Sequence, residues 1–143
     1  MTAIEDYAVI GDCHTAALVG RNGSIDWLCM PRFDSDAFFA ALLGEPQHGR
    51  WLIAPKIRGR ARVRTTRRYR GDSLILETHF TTAKGKARVI DFMPPEAPAR
   101  TLVRIVEGLA GRVEFETQLV IRFDYGSTIP WVRKRHGGLE AVA

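Results

Sequence analysis

The sequence predicts a mostly β protein, an antiparallel two-sheet β-sandwich with one short helix. Three observations carry that prediction. Short apolar runs separated by turn residues recur along the chain, which is strand-like punctuation. Asn22-Gly23 stands between two such runs, where a two-residue hairpin turn with positive φ is favoured. Residues 113–124 alternate, with Val113, Phe115, Thr117, Leu119, Ile121 and Phe123 facing one way. Glu114, Glu116, Gln118, Arg122 and Asp124 face the other, as in a half-buried antiparallel strand. With 45% hydrophobic and 26% charged residues, the 143-residue chain has the balance of one globular domain with a core, not of a disordered segment.

Residues 7–10 and 15–19 are the first two strands, and 24–30 is the third, stopped by Pro31. The single helix is expected over 37–43. Asp34 or Ser35 would cap it, Asp36 would suit its positive end, and Gly44 with Pro46 would end it. Phe38, Phe39, Leu42 and Leu43 make it apolar nearly all round, so it needs cover on more than one side. A brief strand over 50–54 ends at Pro55, and an arginine-rich strand covers 60–70. Residues 73–82 and 86–93 flank a turn at Ala83-Lys84-Gly85, and Pro94, Pro95 and Pro98 mark a loop. Residues 100–109 and 112–123 flank Ala110-Gly111. Residues 131–135, a turn at His136-Gly137-Gly138 and 139–143 form a last hairpin, where the abrupt end implies a fragment of a longer polypeptide.

The net charge of +5 comes mostly from arginine, with seven arginines between positions 58 and 70. At strand period, Arg58, Arg60, Arg62 and Arg64 would share one face. A solvated outer face or a charge-protected edge is the preferred explanation. A nucleic-acid or acidic-partner patch ranks lower, because few aromatic rings interleave with the guanidinium groups. Cys13 and Cys29 lie in apolar segments without CxxC spacing and are expected as buried free thiols rather than a disulfide or metal pair. The histidines show no ligand spacing, so neither a metal nor another cofactor is expected. The longest apolar run, residues 37–43, is far below the roughly 20 residues of a bilayer span. Residues 1–6 lack the pattern of a secretion signal, so a cytoplasmic location is expected and no membrane partner.

The stretch 22–35 is the most informative. It places Trp27, Arg32, Phe33 and Asp34 on and just beyond a strand end, joining a stacking face, a fork donor and a carboxylate. Such a cluster suits sugar recognition or the docking of another domain. Tyr125 and Trp131 form a second aromatic group near the C-terminus. No catalytic set is legible. Asp26, Asp34, Asp36 and Asp91 show no spacing that selects an acid–base pair. The serines lack a nucleophile elbow, and Gly20-Arg21-Asn22-Gly23 lacks the helix and the Lys-Ser/Thr pair of a phosphate loop. The expected catalytic set of this chain is therefore none.

Longer stretches carry a family likeness. Ile4-Glu5-Asp6-Tyr7-Ala8-Val9-Ile10-Gly11-Asp12, Thr15-Ala16-Ala17-Leu18-Val19 and Gly23-Ser24-Ile25-Asp26-Trp27-Leu28-Cys29-Met30-Pro31-Arg32-Phe33-Asp34-Ser35 resemble the opening of bacterial glycoside hydrolase family 15 proteins, the glucoamylase-like and trehalase-like enzymes. His48-Gly49-Arg50-Trp51, Asp91-Phe92-Met93-Pro94 and Arg122-Phe123-Asp124-Tyr125-Gly126 continue the likeness in order. The resemblance implies that residues 1–143 are an N-terminal β-sandwich domain, truncated at its C-terminal end. It also implies a following (α/α)6 barrel carrying the acid and base glutamates for inverting hydrolysis of an α-glucoside. On that basis the chain is expected to be non-catalytic and to brace the barrel of the same parent chain. Trp27, Arg32, Phe33, Asp34, Tyr125 and Trp131 would lie at the substrate rim or the domain interface. An independent carbohydrate-binding module is the alternative, and a basic nucleic-acid-binding domain ranks below it.

Overall fold

The computed structural model describes residues 3–59 and 61–142. Two antiparallel sheets face each other, as expected, and a separate hairpin completes the strands. The first sheet contains β1 (Tyr7–Gly11), β2 (Ala16–Gly20), β3 (Ser24–Cys29), β4 (Ala37–Phe39), β5 (Arg50–Pro55) and β10 (Phe115–Val120), in the order β1-β2-β3-β5-β10 with β4 also on β3. The second contains β6 (Arg64–Tyr69), β7 (Leu76–Thr82), β8 (Gly85–Phe92) and β9 (Val103–Gly111) in sequence order. The hairpin is β11 (Trp131–Arg135) with β12 (Gly138–Val142). Among the described residues no helix is long and apolar enough to cross a membrane.

Alternation along the strands sends one face of each sheet inward. Ile10, Ala17, Val19, Ile25, Leu28 and Phe39 of the first sheet meet Leu76 of the second, with Met93 just beyond β8. A smaller cluster joins Ile53 to Phe80 and Val89. Each large side chain buried here contributes about 1.5–3 kcal/mol of transfer free energy. The β2–β3 hairpin has a three-residue loop, with the positive φ on Gly23 (84°). A Cβ at Gly23 would stand 2.3 Å from the Ile53 carbonyl oxygen, so both the dihedral and the approach of β5 need glycine.

Four sequence expectations change. The helix over 37–43 is instead β4 followed by a 3₁₀ turn, Ala41–Leu43. A helix this short has few internal hydrogen bonds to offset nucleation. The edge of β3 beyond β5 offers a ladder, and Ala37 and Phe39 pair there with Cys29 and Leu28. The arginine-rich strand begins at Arg64. Arg58 and Arg62 lie on the preceding loop, and Arg60 lies outside the described residues. Of the expected inward stripe on 113–123, Val113 and Phe115 are half-buried, but Thr117 and Leu119 are exposed. They belong to an edge strand whose inner face has little cover. Ile105, Val106 and Leu109 on β9, also an edge, are likewise 45–46% exposed. Of the two thiols expected to be buried, Cys29 is buried. Cys13 is exposed, because it occupies a turn with φ of 70°.

Arginine also joins the sheets from within. Arg104 and Asp91, cross-strand neighbours on β9 and β8, are essentially buried. Arg104 Nε and Nη2 donate to the Asp91 carboxylate at 2.8 and 3.3 Å. Nη1 donates to the Trp51 carbonyl at 2.5 Å and Nη2 to the Gly23 carbonyl at 2.8 Å, both on the opposite sheet. The guanidinium also lies 5.3 Å from the Trp51 ring centroid, within cation–π range. Burial pushes the Asp91 carboxyl upward, against the pull of Arg104. Two further links cross the same gap. Arg67 Nη1 donates to the Val19 carbonyl at 2.9 Å. The Tyr69 hydroxyl donates to the Val9 carbonyl at 2.8 Å and accepts the Val9 N–H at 3.0 Å.

On the outer face of the second sheet, Glu77 is covered by Arg68, Arg70 and Arg88, with N–O distances of 2.9, 2.6 and 3.2 Å. Hydrogen bonds from Arg70, opposed by desolvation and reinforced by Arg68 and Arg88, hold its carboxyl down at about 2.

Two outcomes follow from these pairs. Arg104→Ala should cost about 3–5 kcal/mol in urea unfolding, because it strands a buried carboxylate. Arg104→Met with Asp91→Leu should recover only part of that loss, because the Gly23 and Trp51 carbonyls still lose a donor. A folded-state pKa below the unfolded value stabilises above the unfolded pKa, and the benefit is lost as pH falls through the folded pKa. The Glu77 contribution should therefore be intact above the ordinary value of 4.5 and disappear toward about 2. Acid titrations of unfolding should show Glu77→Gln without that component of the pH dependence.

Candidate functional site at the loop end of the sandwich

Strand β3 delivers Trp27, Leu28 and Cys29 to one end of the first sheet, and Met30 and cis-Pro31 lead into the loop 31–36. The loop is tied at several points. Phe33 N–H donates to the His14 carbonyl at 3.0 Å, and Ser35 N–H to the Arg32 carbonyl at 3.1 Å. The Ser35 hydroxyl accepts the Arg32 N–H at 3.1 Å, so Ser35 closes the loop instead of capping a helix. Arg32 grips Asp34 bidentately, Nε to Oδ1 at 2.9 Å and Nη2 to Oδ2 at 3.1 Å. That guanidinium holds the Asp34 carboxyl below its ordinary value. Phe33, between them, is 63% exposed.

The loop rests on a turn that sequence reasoning passed over. Asp12 Oδ1 accepts the N–H groups of His14 and Thr15 at 3.0 and 2.9 Å, and Oδ2 accepts Arg100 Nη1 at 3.0 Å. Desolvation opposes ionisation of this buried carboxyl. The Thr15 N–H and Arg100 outweigh it and lower the pKa. Thr15 Oγ1 then donates to the Cys29 carbonyl at 2.5 Å, just before the loop begins. Asp12-Cys13-His14-Thr15 carries an Asx-turn signal, a carboxylate accepting backbone N–H groups two and three residues on. That signal could have been read. Its coupling to Arg100 and to the loop could not.

A second loop closes the other side. Phe123 exchanges backbone hydrogen bonds with Thr128 at 2.9 and 3.1 Å and stacks edge-on against Phe38, centroids 4.9 Å apart. Asp124 and Tyr125 both have left-handed backbones, φ 50° and 58°, a strain that clusters at functional positions. The Thr128 hydroxyl donates to the Asp124 carboxylate at 2.6 Å, holding the turn. Gly126 (φ 99°) presses on His48, and a Cβ there would lie 2.9 Å from the His48 Cβ. Tyr125 is thereby brought to Trp27, with ring centroids 6.1 Å apart.

Between the loops lies an open hollow of about 450 Å³, lined by Asp34, Asp36 and Asp124 with Phe38 and Phe123. The fold thus gathers Trp27, Arg32, Phe33, Asp34 and Tyr125 at one end. Trp131 stands apart on β11, 81% exposed. Carboxylates can accept sugar hydroxyls and rings can stack on sugar C–H faces, so the surface has the chemistry of polyol recognition. The Arg32 guanidinium lowers the pKa of the Asp34 carboxyl, the opposite direction from the raised pKa of a general acid. Asp26 and Asp91 are structural. Asp26 accepts the Tyr7 hydroxyl at 2.6 Å and the Ser24 hydroxyl, and Asp91 is the core partner of Arg104.

The family model described as trehalase-like, N-terminal, matches residues 1–143. The chain is 31% identical to a trehalase of Thermoplasma volcanium over 94% of its length, covering 22% of that relative. It is 32% identical to trehalase 2 of Sulfolobus acidocaldarius over 94% of its length, and 34% identical to a trehalase of Mycolicibacterium smegmatis over 85%, covering 21% and 20% of them. It therefore spans about a fifth of the curated relatives it matches. No solved structure matches it. A mostly β fold with sandwiched antiparallel sheets, an aromatic and carboxylate-lined loop end, and a match along the whole chain agree, and the chain belongs to the trehalase-like N-terminal domain family.

Proposed function

We propose that this chain is the non-catalytic N-terminal domain of an α-glycosidase, with trehalose the favoured substrate of the whole protein. In this reading it braces a catalytic (α/α)6 barrel of the same chain and lends the loop 31–36 to the rim of the sugar pocket. The family and the trehalases, of which the matched region is about a fifth, support it. The observation that carries it is the Arg32–Phe33–Asp34 prominence. A fork donor, a ring and a carboxylate project from a loop that backbone and side-chain bonds hold stiff. Arg32 Nη1 has no partner among the described residues and is available to a hydroxyl or a barrel carboxylate, while Phe33 forms a wall. The exposed apolar side chains Ile129, Trp131 and Leu139, 68–81% accessible, support a bracing contact with a further domain. A cytoplasmic setting accords with two free thiols.

In the full-length protein, Arg32→Ala should lower kcat/KM on trehalose by about tenfold or more, the loss of one charge-assisted hydrogen bond. Steady-state kinetics beside a thermal melt decide the matter. An unchanged kcat/KM with only a lower Tm would remove the loop from the pocket and leave it the bracing role alone.

A further inference from the structure

Arg58, Arg62 and Arg64 have no part in the loop-end site. Strand β5 runs from Arg50, beside that site, to Pro55 at the opposite end of the sandwich, where three segments converge. Backbone bonds lock them together. Lys56 N–H donates to the Glu114 carbonyl at 2.8 Å, and Arg112 N–H to the Lys84 carbonyl at 3.0 Å. The Thr82 hydroxyl accepts the N–H groups of Lys84 and Gly85 at 3.2 and 3.1 Å. Between the segments lies a hollow of about 370 Å³, within the range of small-molecule sites.

Its charge is one-sided. Lys56, Arg58, Arg62, Lys84 and Arg112 line it against one carboxylate, Glu114, which Arg58 already occupies at 3.2 Å. The side chains of Lys56, Arg62, Lys84 and Arg112 have no hydrogen-bond or ion-pair partner among the described residues. On the outer sheet face, by contrast, Arg68, Arg70 and Arg88 converge on Glu77 and are neutralised within the chain. Converging cations with no internal counter-charge repel one another, and a bound polyanion relieves that repulsion. Apart from Thr82 the remaining lining is apolar, with Val63 and Val113 half-buried and Ile57 56% exposed. A bare inorganic anion would leave that surface wet. A molecule with a flat or apolar body attached to its charges would cover it.

We propose that this hollow binds a small phosphate ester carrying at least two negative charges and an aromatic or apolar body, a nucleoside diphosphate being the type. Lys84, Arg112 and Arg62 hold the phosphates, and Ile57 and Val63 contact the body. The site is independent of the sugar-rim proposal, because it lies at the other end of the sandwich and its test needs no activity.

The test is isothermal titration of the 143-residue chain with adenosine 5′-diphosphate and, separately, inorganic pyrophosphate, at two salt concentrations. Both should bind, more weakly at higher salt, with the nucleotide about tenfold tighter through burial of its base. Arg112→Ala and Lys84→Ala should each weaken nucleotide binding about tenfold, the range of one charge-assisted contact. Glu114→Gln, which removes the opposing carboxylate and frees Arg58, should strengthen it several-fold. These side chains are exposed and take no part in the bonds that lock the turns, so circular dichroism of the variants should match the parent. No binding at millimolar concentration, or variants that bind as the parent does, would overturn the site. Equal affinity for pyrophosphate and the nucleotide would overturn the apolar body. A short single-stranded oligonucleotide binding at least tenfold tighter than the nucleotide would overturn the small-molecule assignment in favour of a nucleic-acid surface.

Discussion

One buried guanidinium, Arg104, ties the two sheets together through their backbones, beside the shared apolar core. Arg104 sits where the β2–β3 loop and β5 of one sheet face β8 and β9 of the other, and it bonds to both. Each of its three nitrogens finds an acceptor, which is the condition under which a buried cation is tolerated. A lysine could not replace it, because one ammonium cannot reach a carboxylate and two carbonyls in a plane. Two of its acceptors are backbone carbonyls, so it constrains the chain path of the facing sheet as well as its side chains. The requirement for Gly23 has the same origin, since its carbonyl is shared between Arg104 and the Ile53 N–H.

That arrangement leaves the two ends of the sandwich different in character. The 31–36 and 123–128 loops gather carboxylates and exposed rings, whereas residues 56–58 and 61–63 and the β7–β8 and β9–β10 turns gather cations over an apolar floor. The net charge of +5 hides this polarity, because arginine does several separate jobs. Arg104 and Arg67 join the sheets, Arg68, Arg70 and Arg88 cover Glu77, and Arg32 holds a loop carboxylate. At the β5 end, by contrast, Lys56, Arg62, Lys84 and Arg112 share one hollow with no internal neutralisation among the described residues.

Most strands were legible because period-two alternation and turn residues are local signals. The β2–β3, β7–β8 and β11–β12 hairpins lie close to where those signals place them. The segment 37–43 failed because its residues are good helix formers, while the free edge of β3 that claims Ala37 and Phe39 is a neighbour in space. Residues 58–59 and 61–63 failed for the opposite reason. They alternate as a strand would, yet β6 pairs with β7 only from Arg64 onward. In the candidate site, the ring-and-fork cluster of Trp27, Arg32, Phe33 and Asp34 was visible as adjacent residues. The approach of Tyr125 was not, since it turns on consecutive left-handed dihedrals at Asp124 and Tyr125, and a tyrosine gives no local signal for that region.

Residue order alone thus determined the strand class, the main hairpins and the family, because alternation, turn chemistry and a matching run of residues are all properties of neighbours along the chain. Which arginine is buried, which carboxylate is structural, and which loops share a hollow were decided only in three dimensions. Asp91 and Arg104, Asp12 and Arg100, and Trp27 and Tyr125 are 13, 88 and 98 positions apart. Their interaction energies depend on burial and distance, and no local pattern encodes either.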